Sequence, residues 1–304
     1  MTLMTQTFPL NAATRIPAVG FGTYLISPDD AQAAIEAAIG AGYRHIDTAS
    51  GYRNETEVGA GISSGLAANG LAREDLFVTA KLWPGNPAWG DTPKTYDQTI
   101  AECDASLARL GLDYVDLYLI HAPYGGSERI PQWQALVDLQ RAGKARAIGV
   151  SNYTPAHLDE IRAAGLPMPS ANQIELHPWS QKPELIAYMT ENGIAPIAYS
   201  SLAPHSAWRT EEGQDSAKTE QMRVDGAVFI EMAAKYGVTE AQLLLRWGVQ
   251  SGYAVLPKSL NPERMRQNLD LAGFEIDAGD MARMREMDRG ASIAWATGDP
   301  SIAD

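Results

Sequence analysis

Cysteine is nearly missing from this chain. Cys103 is the only thiol in 304 residues, so no internal disulfide can form, and its place in a helical pattern marks a buried or semi-buried side chain rather than a nucleophile. Long apolar runs are missing too: stretches such as Ile194 to Leu202 fall well short of the roughly 20 residues that span a bilayer. The sequence does not open with a basic region followed by an apolar core. These absences predict a soluble cytoplasmic protein. Positive charge is in deficit: 24 Lys and Arg face 37 Asp and Glu, a formal net charge of −13, and the resulting field repels nucleic acid and anionic membranes. Any phosphate-bearing ligand then requires a local basic pocket. The five histidines (45, 121, 157, 177 and 205) are scattered, with no His-x-x-x-His pair or Cys/His cluster, so a metal site is not expected.

What the chain does have is an ordinary globular balance, 45% hydrophobic and 20% charged, which at this length predicts a single domain over residues 1–304. Helical and strand patterns alternate throughout. Ser27 is a candidate N-cap with Pro28 at the first helical position; Ala31, Ala34, Ile35, Ala38 and Ile39 share one face, and Gly42 is a candidate stop. Strand-like runs follow at 43–49, 76–82, 115–121, 147–152, 171–177, 195–201 and 253–259, and with the run from Gly20 to Leu25 they make eight. Helical patterns at 55–69, 95–110, 131–142, 155–164, 183–192, 225–251 and 261–271 separate them. Short strands each followed by a helix require parallel pairing with right-handed crossovers, and eight such units close into a (β/α)8 TIM barrel. A doubly wound open sheet is the competing topology. The polar stretch 203–223 reads as a long loop after strand seven, and the tail beyond Arg289 as an irregular C-terminal segment able to cross the barrel mouth.

Four polar residues, Asp47, Tyr52, Lys81 and His121, stand where strand-like runs end, on the face where parallel barrel strands gather a site. Singly, each has an ordinary reading: Asp47 as a turn cap, Lys81 as a solvated strand end, Tyr52 as a packed loop aromatic, His121 as a hydrogen-bonded core imidazole. Jointly they make a proton-transfer set. A free phenol, with a pKa of about 10, is a poor acid at neutral pH, and a catalytic Tyr needs a neighbour that stabilises its phenolate. Lys81 supplies the charge, Asp47 keeps Lys81 charged and oriented, and His121 hydrogen-bonds the reacting oxygen.

The segment Asp47-Thr48-Ala49-Ser50-Gly51-Tyr52-Arg53-Asn54-Glu55 resembles the signature of the aldo-keto reductases, and Lys81 and His121 fall where that family places its other catalytic residues. The resemblance continues through Gly149-Val150-Ser151-Asn152, Asn172 to Pro178, Tyr199-Ser200, and Leu256 to Ser259 followed by Arg264 and Asn268. It implies reduction of an aldehyde or ketone by a nicotinamide cofactor, with Tyr52 as general acid. Reduction of a carbon–carbon double bond is disfavoured because family members that do so replace the His with an acid. A nucleotide-sensing subunit resembling the barrel subunits of potassium channels remains the second reading, which rapid multiple turnover would set aside.

Gly20-Phe21-Gly22-Thr23 lacks the third glycine of a dinucleotide fingerprint. The resemblance instead implies an extended dinucleotide across the mouth, touched by Gly22 and Thr23 through backbone. Ser151, Asn152 and Gln173 would bind the carboxamide, Tyr199 would stack on the nicotinamide, and Ser200 and Leu202 would follow along the nucleotide. Lys258, Ser259 and Arg264 form a basic cluster after strand eight that suits a 2′-phosphate, hence NADPH over NADH, with Gln267 and Asn268 beside the adenine. Tyr24, Trp83, Trp179 and either Trp208 or Trp295 are expected to line the substrate cleft. Many relatives carry Trp after the His, whereas Ala122 stands here and removes bulk from that wall. The expected partner is a small carbonyl compound, with no nucleic acid or membrane, and the expected state a monomer or weak oligomer.

Overall fold

The computed structural model describes residues 6–205, 225–290, 292–295 and 299–302. The loop expected at 203–223 therefore lies mostly outside the described residues, as does Trp208.

Runs of branched and aromatic residues form eight parallel strands in one sheet, each beside its sequence neighbour. They are β1 (Phe21–Gly22), β2 (His45–Asp47), β3 (Phe77–Leu82), β4 (Val115–Ile120), β5 (Ala145–Ser151), β6 (Ala171–Glu175), β7 (Ala195–Tyr199) and β8 (Ala254–Val255). A Val19–Val255 bridge closes the sheet into a barrel: Gly20 N donates to Val255 O at 2.8 Å and Val255 N to Ala18 O at 2.9 Å. Glycine is required in this seam, since a Cβ on Gly20 would sit 2.3 Å from His45 Nδ1.

Helices α1 (Pro28–Ala41), α2 (Glu55–Ala68), α3 (Tyr96–Leu110), α4 (Arg129–Arg141), α5 (Pro155–Ala163) and α6 (Pro183–Glu191) alternate with the strands. Their ends carry the expected signals. Ser27 accepts from Asp30 N at 3.2 Å and Gly42 closes α1 in the left-handed region at φ 111. The single helical pattern read at 225–251 is two helices, α7 (Ala227–Tyr236) and α8 (Glu240–Gln250), because Gly237 stops the first at φ 68 and Thr239 caps the second through its Gln242 capping box. Helix α9 (Pro262–Leu269) follows β8, and α10 (Ala278–Arg285), which the sequence reading passed over, follows α9. None of the helices among the described residues is long and apolar enough to cross a membrane.

Period-two alternation sends one file of each strand inward. At the N-terminal end, Phe77, Leu117, Ala147, Ala171 and Ala254 pack with Leu10 and Ile16 into an apolar plug. Leu10 and Ile16 come from an antiparallel hairpin, Thr7–Pro9 with Arg15–Pro17, which closes that end. The outward file of Ile46, Val78, Tyr118 and Ile120 packs on Ile35, Ile39, Ile62 and Trp133 of the helices. With one end stoppered, the other is left for a site.

Candidate active site

The inward files of β2, β3 and β4 end in Asp47, Lys81 and His121, because the register pairs Asp47 with Thr79 and Lys81 with Leu119. Lys81 has no solvent exposure, an arrangement that costs far too much for an unpaired ammonium. Its Nζ donates to Asp47 Oδ1, to Thr48 O at 3.2 Å and to Tyr52 OH at 3.3 Å. Gln173 Nε2 donates to Asp47 Oδ2 at 2.8 Å, so both carboxylate oxygens are held. Tyr52 arrives from a short 3-10 turn, Ser50–Tyr52, after which Arg53 takes a left-handed conformation at φ 57. The Tyr52 ring lies edge to face with His121, centroids 5.4 Å apart.

The electrostatics sharpen the roles. Burial first, and then the neighbouring Asp47 and Tyr24, push the Tyr52 phenol well above its usual range. The resting site therefore keeps Tyr52 protonated. Burial lowers the Lys81 ammonium while Asp47 resists that fall. Burial and the Lys81 charge lower His121 well below the ordinary imidazole value, so it is neutral. Its buried Nδ1 has no partner among the described residues.

Around the remaining strand ends, Ser151 Oγ donates to Gln173 O at 2.7 Å, Asn152 Nδ2 to His121 O at 3.1 Å, and Tyr199 OH to Asn152 Oδ1 at 2.8 Å. Asn152 and Ser200 hold left-handed backbones, φ 63 and 54. Thr23 is buried, with its hydroxyl donating to Asp47 O at 3.0 Å, and Gly22 N donates to Pro257 O at 3.1 Å. Leu202 packs partly buried between two apolar clusters. Beyond β8, Asn261 caps α9, and Arg264 Nε donates to Ser259 Oγ at 3.3 Å. Desolvation and the Arg264 charge lower the Lys258 ammonium. Neither cation makes an ion pair with an acidic side chain among the described residues, and two like charges gathered in so acidic a protein fit a bound phosphate. Gln267 donates to Glu263 at 3.5 Å, while Asn268 is buried against the Tyr43 hydroxyl.

The cleft wall differs from expectation in part. Trp83 lies edge-on to His121 at 5.8 Å, and Tyr24 packs on Tyr52 at 5.2 Å while 56% exposed. Trp295 lies 6.4 Å from His121. Trp179 does not join them: it is buried in a satellite core against Phe229, 5.7 Å away, with the Arg289 guanidinium 4.0 Å over its ring. The His177–Ser180 bridge after β6 delivers it there. Trp89 and Tyr124, which the sequence reading did not select, complete the wall; Trp89 stacks on Trp83 at 5.4 Å, and Tyr124 meets Trp83 at 5.9 Å and Trp295 at 6.3 Å. Ala122 is fully buried, so the aromatic surface after His121 comes from Tyr124. An aromatic residue three positions past a strand-end His was the available signal.

Comparison with known proteins bears on the family. The profile described as Aldo/keto reductase family matches residues 18–289. An aldo-keto reductase of Mycolicibacterium smegmatis is 39% identical over 292 residues, 95% of this chain and 96% of that protein. The morphine 6-dehydrogenase of Pseudomonas putida is 38% identical, covering 93% of this chain and 92% of that one. Among solved structures, the Bombyx mori aldo-keto reductase in complex with NADP superposes with a TM-score of 0.84 at 33% identity, covering 96% of this chain and 95% of its own. With a profile match over most of its length and relatives of this similarity along nearly all of it, the chain belongs to the aldo/keto reductase family.

Proposed function

We propose that this chain reduces an aldehyde or ketone to an alcohol with NADPH, using Tyr52 as the general acid. Family membership supports NADP-dependent carbonyl reduction in general; the contact that carries the specific reading is Lys81 Nζ, shared between Asp47 and the Tyr52 hydroxyl at 3.3 Å. When bound, NADPH supplies the hydride. Tyr52 holds a proton in the resting site and releases it to the carbonyl oxygen as that oxygen gains negative charge, which the fixed Lys81 cation stabilises. Neutral His121 offers one N–H to the same oxygen and sets its angle.

The nucleotide is held by this chain's own groups as follows. Ser151, Asn152 and Gln173 meet the carboxamide, Tyr199 stacks on the nicotinamide, and Gly22, Thr23, Ser200 and Leu202 line the path. Lys258, Ser259 and Arg264 take the 2′-phosphate, with Gln267 and Asn268 at the adenine. Tyr24, Trp83, Trp89, Tyr124 and Trp295 give the cleft an aromatic wall that suits apolar carbonyl compounds of varied shape.

NADPH oxidation over a panel of aromatic aldehydes, keto sugars and bulky ketones tests this reading. Tyr52→Phe is expected to lower kcat by about 10²–10⁴-fold while nucleotide binding persists. Unchanged turnover in that variant removes Tyr52 from the mechanism, and tight nucleotide binding with no multiple turnover in the wild type turns the reading toward a sensor.

A further inference from the structure

Glu175, the last residue of β6, has no solvent exposure and takes no part in the chemistry above. Its carboxyl receives three N–H groups. His177 Nε2 lies 2.9 Å from Oε1, Ile293 N donates to Oε1 at 2.7 Å, and Ala294 N donates to Oε2 at 3.0 Å. Two of these donors are consecutive backbone amides of the C-terminal segment, far from β6 in sequence. The next residue is Trp295, which hydrogen-bonds the Tyr199 hydroxyl and contacts the rings of His121, Tyr124 and Trp89.

We infer that Glu175 is a positioning residue which, by gripping the amides of Ile293 and Ala294, sets Trp295 as the movable wall of the cleft and thereby governs the fit of bulky substrates. The physical reason is local. Residues 292–295 have no helix or strand to fix them, so their backbone amides need an acceptor, and a buried carboxyl is the strongest one on offer. Lys182 Nζ adds a second tether at Ser292 Oγ, 2.8 Å away, and the Glu175 contacts fall on the two residues directly before Trp295. Gln173, two residues earlier on the same inward file, holds Asp47, so one short strand fixes both the catalytic carboxylate and the substrate wall.

The inference rests on the proposed carbonyl reduction, and the test separates the two. Hydrogen exchange at residues 292–295 needs no activity: protection is expected in the wild type and faster exchange in Glu175→Gln, whose amide nitrogen cannot accept from a backbone N–H. In kinetics, Glu175→Gln should raise KM for a bulky aromatic ketone roughly tenfold, with kcat and the reduction of a three-carbon aldehyde changed less than about twofold. Trp295→Ala should raise the same KM, and the double variant should go no further, because one residue acts through the other. Should Glu175→Gln fail to fold, Ile293→Pro removes one donor while leaving the barrel intact, and must reproduce the defect. Unchanged exchange, additive effects in the double variant, or equal losses on small and bulky substrates would each overturn the inference. A wild type without any reductase activity sinks the proposed reaction instead, and the exchange data still decide whether Glu175 holds the segment.

Discussion

At the start of β3, Phe77 packs into a plug with Leu10, Ile16 and Leu117; four residues further along the same inward file, Lys81 is buried among Asp47, Thr48 and Tyr52. The strand geometry is the same at both places, and only the closure differs. A hairpin seals the first end with aliphatic side chains, which need no partners. The second end stays open to ligands, and the buried charges of its catalytic-face pair are matched within the chain: Asp47 by Lys81 and Gln173, Lys81 by three acceptors.

The comparison breaks most visibly at Lys81. Lys81→Met leaves Asp47 buried without its cation, so a loss of about 3–5 kcal/mol is expected in denaturant titration, together with loss of turnover. If stability is untouched, the pairing at the open end is not what holds that pole together. At the sealed end, Ile16→Ala should cost about 2–5 kcal/mol with kcat unaltered, since Ile16 is 1% exposed and far from Tyr52; a fall in kcat would show that the poles are coupled.

Between them sits His45, whose Nε2 lies 2.9 Å from Thr79 Oγ1 and whose imidazole is driven down to about 3 by burial and by Lys81. The native state refuses a proton that the unfolded chain accepts near pH 6.5. Stability is therefore intact above that value and falls, by about 1.4 kcal/mol per pH unit, as pH drops from 6.5 toward 3. His45→Gln should flatten that slope by this amount, and an unchanged acid limb assigns the effect elsewhere. The smallest effect concerns Arg264, a cation of the open end that Lys81's kind of pairing does not cover. Arg264→Ala should raise KM for NADPH roughly tenfold and leave NADH almost unchanged. Equal effects would deny the 2′-phosphate its pocket.

The strand ends were legible in the sequence because period-two runs such as Phe77–Leu82 stop at a polar residue, and four ordered motifs lie beyond the first. The N-terminal hairpin was not: its strands, Thr-Phe-Pro and Arg-Ile-Pro, are three residues long and too short for a periodic signal. Helix α10 escaped because Ala278–Arg285 buries only Asp280 and Met284, leaving no apolar stripe, although Asp277 caps it. The wall of the cleft was half legible. Trp83 follows its strand directly, while Trp89, Trp179 and Trp295 depend on where irregular segments turn, which local patterning does not encode.

The Val19–Val255 seam joins the first barrel strand to the last. Contacts so distant along the chain carry the largest entropic penalty of closure, so the seam forms late in assembly. Asp47, Lys81 and His121, close together in the chain on β2 to β4, are expected to meet early, and Gly22 and the Lys258–Arg264 cluster to come together across that seam only at the end. Recovery of nucleotide affinity during refolding would thus be a clock for the final zipping of the cylinder, running behind the Asp47 carboxylate and Lys81 ammonium already in place.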